Sequence, residues 1–322
     1  MSAIQNYIQS RLDHLSTPVV FNKESVDLEI QLYHHLTTKK FRKYALPEGY
    51  NAVIRNIIHE AVKNQQPMNL VWVFGCYKLW SLKEAPTVDW AELFSLMYFV
   101  DWLKPIVQLH KPGIIFDFFS DDVIIPIMNH VPQNDVTAYV ESFKTLLKFI
   151  VPYLPKGFSF QFHRVINRYE SFDHFLAELN QNIQTLTDER EKNFALTTAQ
   201  IAMIDLNVIP NEKQQSDLFW RQKVQIIHDA YSMSSKRRPY YRNSNKIMVV
   251  NTAVNGAIAV GTTKASVAKF WVGAGALEKK GDSFTELVLS PSQIQTTQFD
   301  TITIRMKGLE GKNFSRIKLK TQ

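Results

Sequence analysis

KPGIIFDFFSDD, residues 111–122, is the stretch whose reading decides the fold. Pro112-Gly113 closes whatever precedes it, IIFDFF is an apolar run of strand length, and Ser120-Asp121-Asp122 ends that run abruptly in polar side chains. A second run of the same kind, NLVWVFGCY, occupies residues 69–77. Continuous apolar runs, as opposed to alternating ones, mark strands buried on both faces, which is the condition of a parallel sheet. Between the two, Val88 to Leu109 has the length and apolar density of a helix entered through Asp89 and left near His110-Lys111-Pro112-Gly113. Beyond them, Asn134-Asp135 is expected to cap a helix reaching Ile150. Phe158–Val165 alternates like a strand, and Asp173–Leu186 is helical. Strand, helix, strand, helix, strand predicts an α/β fold: a mostly parallel, Rossmann-like sheet covered by helices.

Working outward, Ile4, Ile8 and Leu12 recur every four residues, and Val53, Ile54, Ile57, Ile58 and Val62 form a second helical stripe, so the amino-terminal part reads as helical. Thr187–Gln225 is polar and helix-like, and Ile247–Val250, Ala257–Val260 and Phe270–Leu277 are short strand-like pieces. From Gly281 the texture changes. Phe284–Leu289, Thr301–Met306 and Phe314–Leu319 alternate between turn residues, which predicts a small antiparallel β addition. The expected division is therefore 1–280, an α/β unit with a helical beginning, and 281–322, a small β-rich extension.

Composition narrows the function. Of 322 residues, 45% are hydrophobic and 21% charged, which excludes a disordered chain. One cysteine, Cys76, excludes an intrachain disulfide and a multi-cysteine zinc cage. The apolar runs fall far short of the roughly 20 residues of a membrane helix, and no secretory signal is read at Met1. A cytoplasmic protein with no membrane partner is expected. The net charge of +7 points to an anionic partner: a phosphorylated metabolite or a nucleic acid. Nine histidines occur without an H-E-x-x-H or any close pair of metal-ligand spacing, so no metal is expected. The dinucleotide, P-loop and nucleophile-elbow signatures are all absent.

Four stretches carry candidate chemistry. Ser120, Asp121 and Asp122 stand at the carboxyl end of a buried strand, where open α/β sheets place ligands. Lys78 follows the other buried strand, where an ammonium could hold a carboxylate or phosphate, or act on a carbonyl with a lowered pKa. KRRPYYRNSNK (236–246) interleaves Arg237, Arg238 and Arg242 with Tyr240 and Tyr241, a composition suited to phosphate oxygens and stacking; Pro239 predicts a loop here. GTTKASVAKFW (261–271) adds hydroxyls, Lys264, Lys269 and Trp271.

The order of these segments resembles the isonitrile (isocyanide) synthases of pyoverdine and dityrosine biosynthesis. The corresponding pieces are NLVWVFGCYK (69–78), VDWAELFSL (88–96), KPGIIFDFFSDD (111–122), NDVTAY (134–139) and FWVGAGAL (270–277), spanning roughly residues 50–280. Asp122 stands where that family has a glycine, and Val272 where it has a histidine. The resemblance implies a transferase or lyase that condenses an amino-acid amine with ribulose 5-phosphate. Carbon–carbon cleavage and loss of phosphate then leave an isonitrile carbon on nitrogen. It implies no metal or redox cofactor. Under it, Lys78 holds the substrate carboxylate and Asp121 its amine, and Asp121 or Asp122 moves protons with an affinity raised by the adjacent carboxylate. Arg237, Arg238, Arg242, Lys264 and Lys269 hold the phosphate, with Ser120, Tyr241 and Trp271 completing the substrate site. Two other readings remain: an RNA- or nucleotide-binding protein using 236–246, and a non-catalytic protein on a degenerate synthase fold. No oligomeric state is specified.

Overall fold

A computed structural model describes residues 2–21, 27–75, 78, 86–198, 200–201, 204, 218–242, 245–266 and 268–320, except 191–194 and the side chains of 189 and 190. Cys76 lies outside the described residues. The chain begins with α1 (Ala3–Asp13), α2 (Leu28–Leu36) and α3 (Tyr50–Lys63), then enters β1 (Met68–Phe74), α4 (Trp90–Leu109) and β2 (Ile114–Ser120). There follow α5 (Ile125–Asn129), α6 (Gln133–Ile150), β3 (Phe158–Arg164), α7 (Phe172–Arg190), α8 (Leu218–Ser232) and α9 (Arg238–Tyr241). Next come β4 (Lys246–Val250), β5 (Ile258–Ala259), β6 (Ala274–Lys280) and β7 (Ser283–Leu289). The chain closes with α10 (Pro291–Thr296), β8 (Phe299–Thr303) and β9 (Arg316–Lys320).

Five strands form one sheet in the order β3-β2-β1-β4-β5, every pair parallel. Strand order reverses between β1 and β4, and the crevice outside the carboxyl ends at such a reversal is where doubly wound sheets accept ligands. One face of the sheet is aromatic. Trp72, Phe74, Phe116 and Phe118 meet Phe99 of α4 and Phe143 of α6 at centroid separations of 4.8–6.4 Å. The opposite face carries Asn69, Asp117, His163 and Lys246 and is only partly covered.

Helix α4 is the axis of the molecule. Asp89 caps it, and Glu92 three positions on completes a capping box. It is buried on nearly all sides, which accounts for its apolar composition without a clean stripe.

Four expectations need correction. The capping residue of α6 is Pro132, and Asn134 and Asp135 lie inside the first turn, where Asp135 favours the positive helix end. Pro239 does not prevent a helix: it occupies the start of α9, where its missing N–H costs nothing. Phe270–Leu277 is not one strand. Residues 270–273 turn, burying Phe270 and Trp271 against Trp72 and Phe74, and β6 starts at Ala274. Finally, the second sheet is mixed and begins before Gly281: its order is β7-β6-β9-β8, and β6 runs parallel to β9. Gly275 lets β6 lie directly on α4, since a Cβ there would meet the backbone of Trp90 and Ala91 at 2.4 Å.

Candidate functional site

The carboxyl ends of β2 and β3 hold two arginine–aspartate pairs. Asp121 is presented by the turn after β2, where its N–H bonds the carbonyl of Phe74 and ties the ends of β1 and β2 together. Its carboxylate takes a two-pronged contact from Arg237, Nε and Nη2 each at 2.8 Å, and the Tyr231 hydroxyl donates to it at 2.7 Å. Arg237 also donates to the Tyr241 hydroxyl at 3.0 Å. Burial and the neighbouring Asp121 hold Tyr231 well above its ordinary pKa, so it stays a donor. Asp122 is fully buried and faces the other way. It accepts from Ser120 Oγ at 2.7 Å and from Arg164 at 2.6 and 2.9 Å. The two adjacent carboxylates thus have separate cations and do not face each other.

Lys78 is equally enclosed. Its ammonium lies 2.8 Å from Asp89 and 2.6 and 2.8 Å from the two Glu92 oxygens, with Tyr139 donating to Glu92 at 2.8 Å. Glu92 has no exposed surface. Burial raises its pKa to about 7, against the pull of Lys78. The two carboxylates more than offset the cost of burial to the Lys78 ammonium and keep it charged. Asp89 was expected only as a helix start; its capping-box spacing to Glu92 is the sequence signal that could have found that half of the cluster, and nothing in the sequence joins it to Lys78 and Tyr139.

The remaining candidates scatter. Arg238 and Arg242 are exposed on and just after α9. Trp271 is a core residue. Lys264 lines a separate cavity of about 560 Å³ with Arg11, Tyr98 and Glu286. Lys269 is different: it is partly exposed, and burial together with nearby Lys43 lowers its pKa to about 8. Lys43 reaches the carbonyl of Asn251, the first residue past β4, at 2.7 Å, which puts the two lysines at the carboxyl edge of the sheet beside the strand-order reversal.

A further cluster went unrecognised in the sequence. On the open face of the sheet, Asp117 of β2 bonds His163 Nδ1 of β3 at 2.7 Å and accepts a short bond from the Tyr240 hydroxyl. Tyr240 stacks on Phe119 at 4.1 Å, and Lys246 sits 3.4 Å from its ring centre. His163 and Asp117 are 46 positions apart, and only strand pairing brings them together. Among the described residues, no group of three or more histidine, cysteine or acidic side chains could hold a metal ion.

A doubly wound parallel sheet with its polar groups gathered at the carboxyl edge defines the class of fold. The particular likeness is to the PvcA protein from Pseudomonas aeruginosa. It covers 91% of this chain and 100% of that one with a TM-score of 0.62, at 12% sequence identity. The isonitrile synthase-like fold implied by the order of segments is therefore present, and at that identity the likeness is one of fold. A tryptophanyl-tRNA synthetase homolog from Entamoeba histolytica matches 75% of this chain and 54% of its own at 13% identity. Its TM-score of 0.29 is too low to indicate a common fold. No family profile and no curated protein sequence matches the chain. Among the described residues, no helix is long and apolar enough to cross a membrane.

Proposed function

We propose that this chain is a transferase or lyase of secondary metabolism that joins the amine of an amino acid to a sugar phosphate such as ribulose 5-phosphate, on an isonitrile synthase-like fold. The observation that carries the reading is Lys269. A lysine with a pKa near 8, partly open at the carboxyl edge and beside a second ammonium, can accept and return a proton near neutrality. Attack of an amine on a ketone needs that exchange, because the amine must lose a proton and the carbinol oxygen must leave as water. In this reading Lys269 moves the protons and the Asp121–Arg237 pair walls the site. Lys78 acts at a distance, by holding the start of α4.

The test is incubation of the purified protein with individual L-amino acids and ribulose 5-phosphate, following released phosphate and the mass of the isonitrile product. Turnover that is lost in Lys269→Met and retained in Lys307→Met supports the reading. Absence of product with every amino acid sinks it. One observation favours the non-catalytic alternative: Lys78, Asp121 and Asp122 are all held by charges of this chain. That alternative expects no product and no stabilisation by either substrate.

A further inference from the structure

Helix α1, helix α4 and strand β7 all contribute to the cavity of about 560 Å³ that Lys264 lines. Its size falls within the roughly 300–1,000 Å³ typical of small-molecule sites. Lys269, Asp121, Arg237 and Lys78, the groups of the reaction above, do not line it.

Two aromatic pairs give the cavity apolar walls. Tyr7 of α1 packs on Phe284 of β7 with 5.3 Å between ring centres, and Phe41 packs on Tyr98 of α4 at 4.9 Å. A chain of alternating charges lines it as well. Glu286 Oε1 lies 2.9 Å from Arg11 Nε, Arg11 Nη2 lies 2.8 Å from Asp101, and Asp101 lies 3.3 Å from Lys104. The Tyr7 hydroxyl also donates to Glu286 Oε1, at 3.3 Å. Both contacts of Glu286 thus fall on Oε1, and Oε2 takes no hydrogen bond among the described residues. Glu286 is only 9% exposed, and polar atoms so enclosed ordinarily have partners. Oε2 is not sealed within the protein, so it is open to the cavity that its side chain lines.

Two further cations complete the lining, and backbone contacts hold the segments that carry them. Lys264 sits on the Thr263–Ser266 turn, which Ser266 N–H closes on Thr263 O at 3.4 Å and Val288 N–H ties to β7 through Ser266 Oγ at 2.7 Å. Lys40 lies 5.1 Å from the ring centre of Phe41, whose carbonyl accepts from Gly261 N–H at 3.0 Å. Both lysines are exposed, and neither pairs with a carboxylate among the described residues. Histidines apart, the lining carries Arg11, Lys40, Lys104 and Lys264 against Asp101 and Glu286.

We propose that this cavity binds an aromatic carboxylic acid bearing a hydroxyl group, at a site separate from that of the reaction above. The aromatic walls take a flat ring by offset or edge-on packing. The surplus of positive charge favours an anion, and Lys40 and Lys264 hold its carboxylate as mobile point charges without giving up another carboxylate. Glu286 Oε2 accepts from the ligand hydroxyl, and a charged acceptor makes that bond roughly twice as strong as a neutral one. A basic amine in place of the hydroxyl would add to the surplus of positive charge, so an amino acid fits less well. The site does not rest on the proposed reaction.

The experiment is isothermal titration of the full chain with 6-hydroxy-2-naphthoate, 2-naphthoate, 2-naphthol and cyclohexanecarboxylate. Variants are Lys40→Met, Lys264→Met, Phe284→Leu and, outside the cavity, Lys307→Met, each checked for an unchanged unfolding transition. Expected is tightest binding of the hydroxynaphthoate, about tenfold weaker binding without its hydroxyl, and weaker binding still of the cyclohexane acid. Each cavity lysine removed should weaken both naphthoates by roughly three- to tenfold and leave 2-naphthol unchanged. Phe284→Leu should weaken all three aromatic probes, and Lys307→Met none. No binding of any aromatic probe, or undiminished naphthoate binding in both lysine variants, overturns the site. A cyclohexane acid that binds as tightly as 2-naphthoate overturns the aromatic ligand, and equal affinity for the two naphthoates overturns the hydroxyl and the role of Glu286. The lysines are exposed, so their variants decide the matter even if Phe284→Leu does not fold. No amino acid or sugar phosphate is present, so the result stands whether or not the reaction is found. Displacement of the probe by ribulose 5-phosphate would overturn the assignment of this cavity as a second site.

Discussion

At the scale of single residues, the chain encloses its charges and the enclosure shifts their titration. Glu92 in the folded protein holds its proton up to about pH 7, whereas an exposed glutamate gives it up near 4.5. The folded state therefore binds more protons than the unfolded one between those values, and stability contributed by Glu92 falls as pH rises through that window. Glu92→Gln is expected to flatten this part of a stability–pH curve measured by urea unfolding. Lys78→Met leaves two buried carboxylates without their cation and is expected to cost about 3–5 kcal/mol at pH 7, measured in the same way. Lys269 shifts in the opposite direction to Lys78. Its pKa is lowered from 10.5 to about 8, so the folded state binds fewer protons than the unfolded one between those values. Its unfavourable contribution is full below pH 8 and fades towards 10.5. Lys269→Met should raise the melting temperature at pH 7 while abolishing turnover and removing a limb with a pKa near 8 from the rate profile. A variant that loses stability and keeps its rate would contradict the role given to Lys269.

At the scale of elements, the Asp121–Arg237 pair fastens the 231–241 segment to the end of β2. Both side chains are largely buried, 13% and 12% exposed, so breaking the pair strands a charge. Arg237→Met is expected to cost about 3 kcal/mol and to speed amide hydrogen exchange in residues 231–241 while leaving β1 and β2 protected. Uniform acceleration across the sheet would show that the pair supports the whole core instead. The elements themselves were largely readable. The run from Asn69 holds β1 as far as Phe74, the run from Ile114 became β2, and the helix entered at Asp89 is α4, because apolar runs and caps are local signals. The turn at Phe270 was not readable. Whether an apolar piece turns or extends there depends on the Trp72 and Phe74 surface it meets.

At the scale of the whole molecule, Arg11 of α1 joins both sheets' supports. It lies 2.8 Å from Asp101 of α4 and 2.9 Å from Glu286 of β7. Glu286 is nearly buried, and burial raises its pKa despite Arg11. Arg11→Met should cost about 3–5 kcal/mol and split a single thermal transition into two, seen by calorimetry. A single transition, merely shifted, would mean the two sheets remain one cooperative unit without this bridge.

By itself the sequence determined the α/β class, the parallel strands, the helix starts and the basic character, since periodicity, capping and composition are set by neighbours along the chain. Tertiary structure decided the site. Lys78 met Asp89 and Glu92, Asp121 and Asp122 took different arginines, Asp117 met His163, and Lys43 came to stand beside Lys269. Each of those meetings joins residues far apart in the chain, and which charges face each other follows only once the sheet order has placed them side by side.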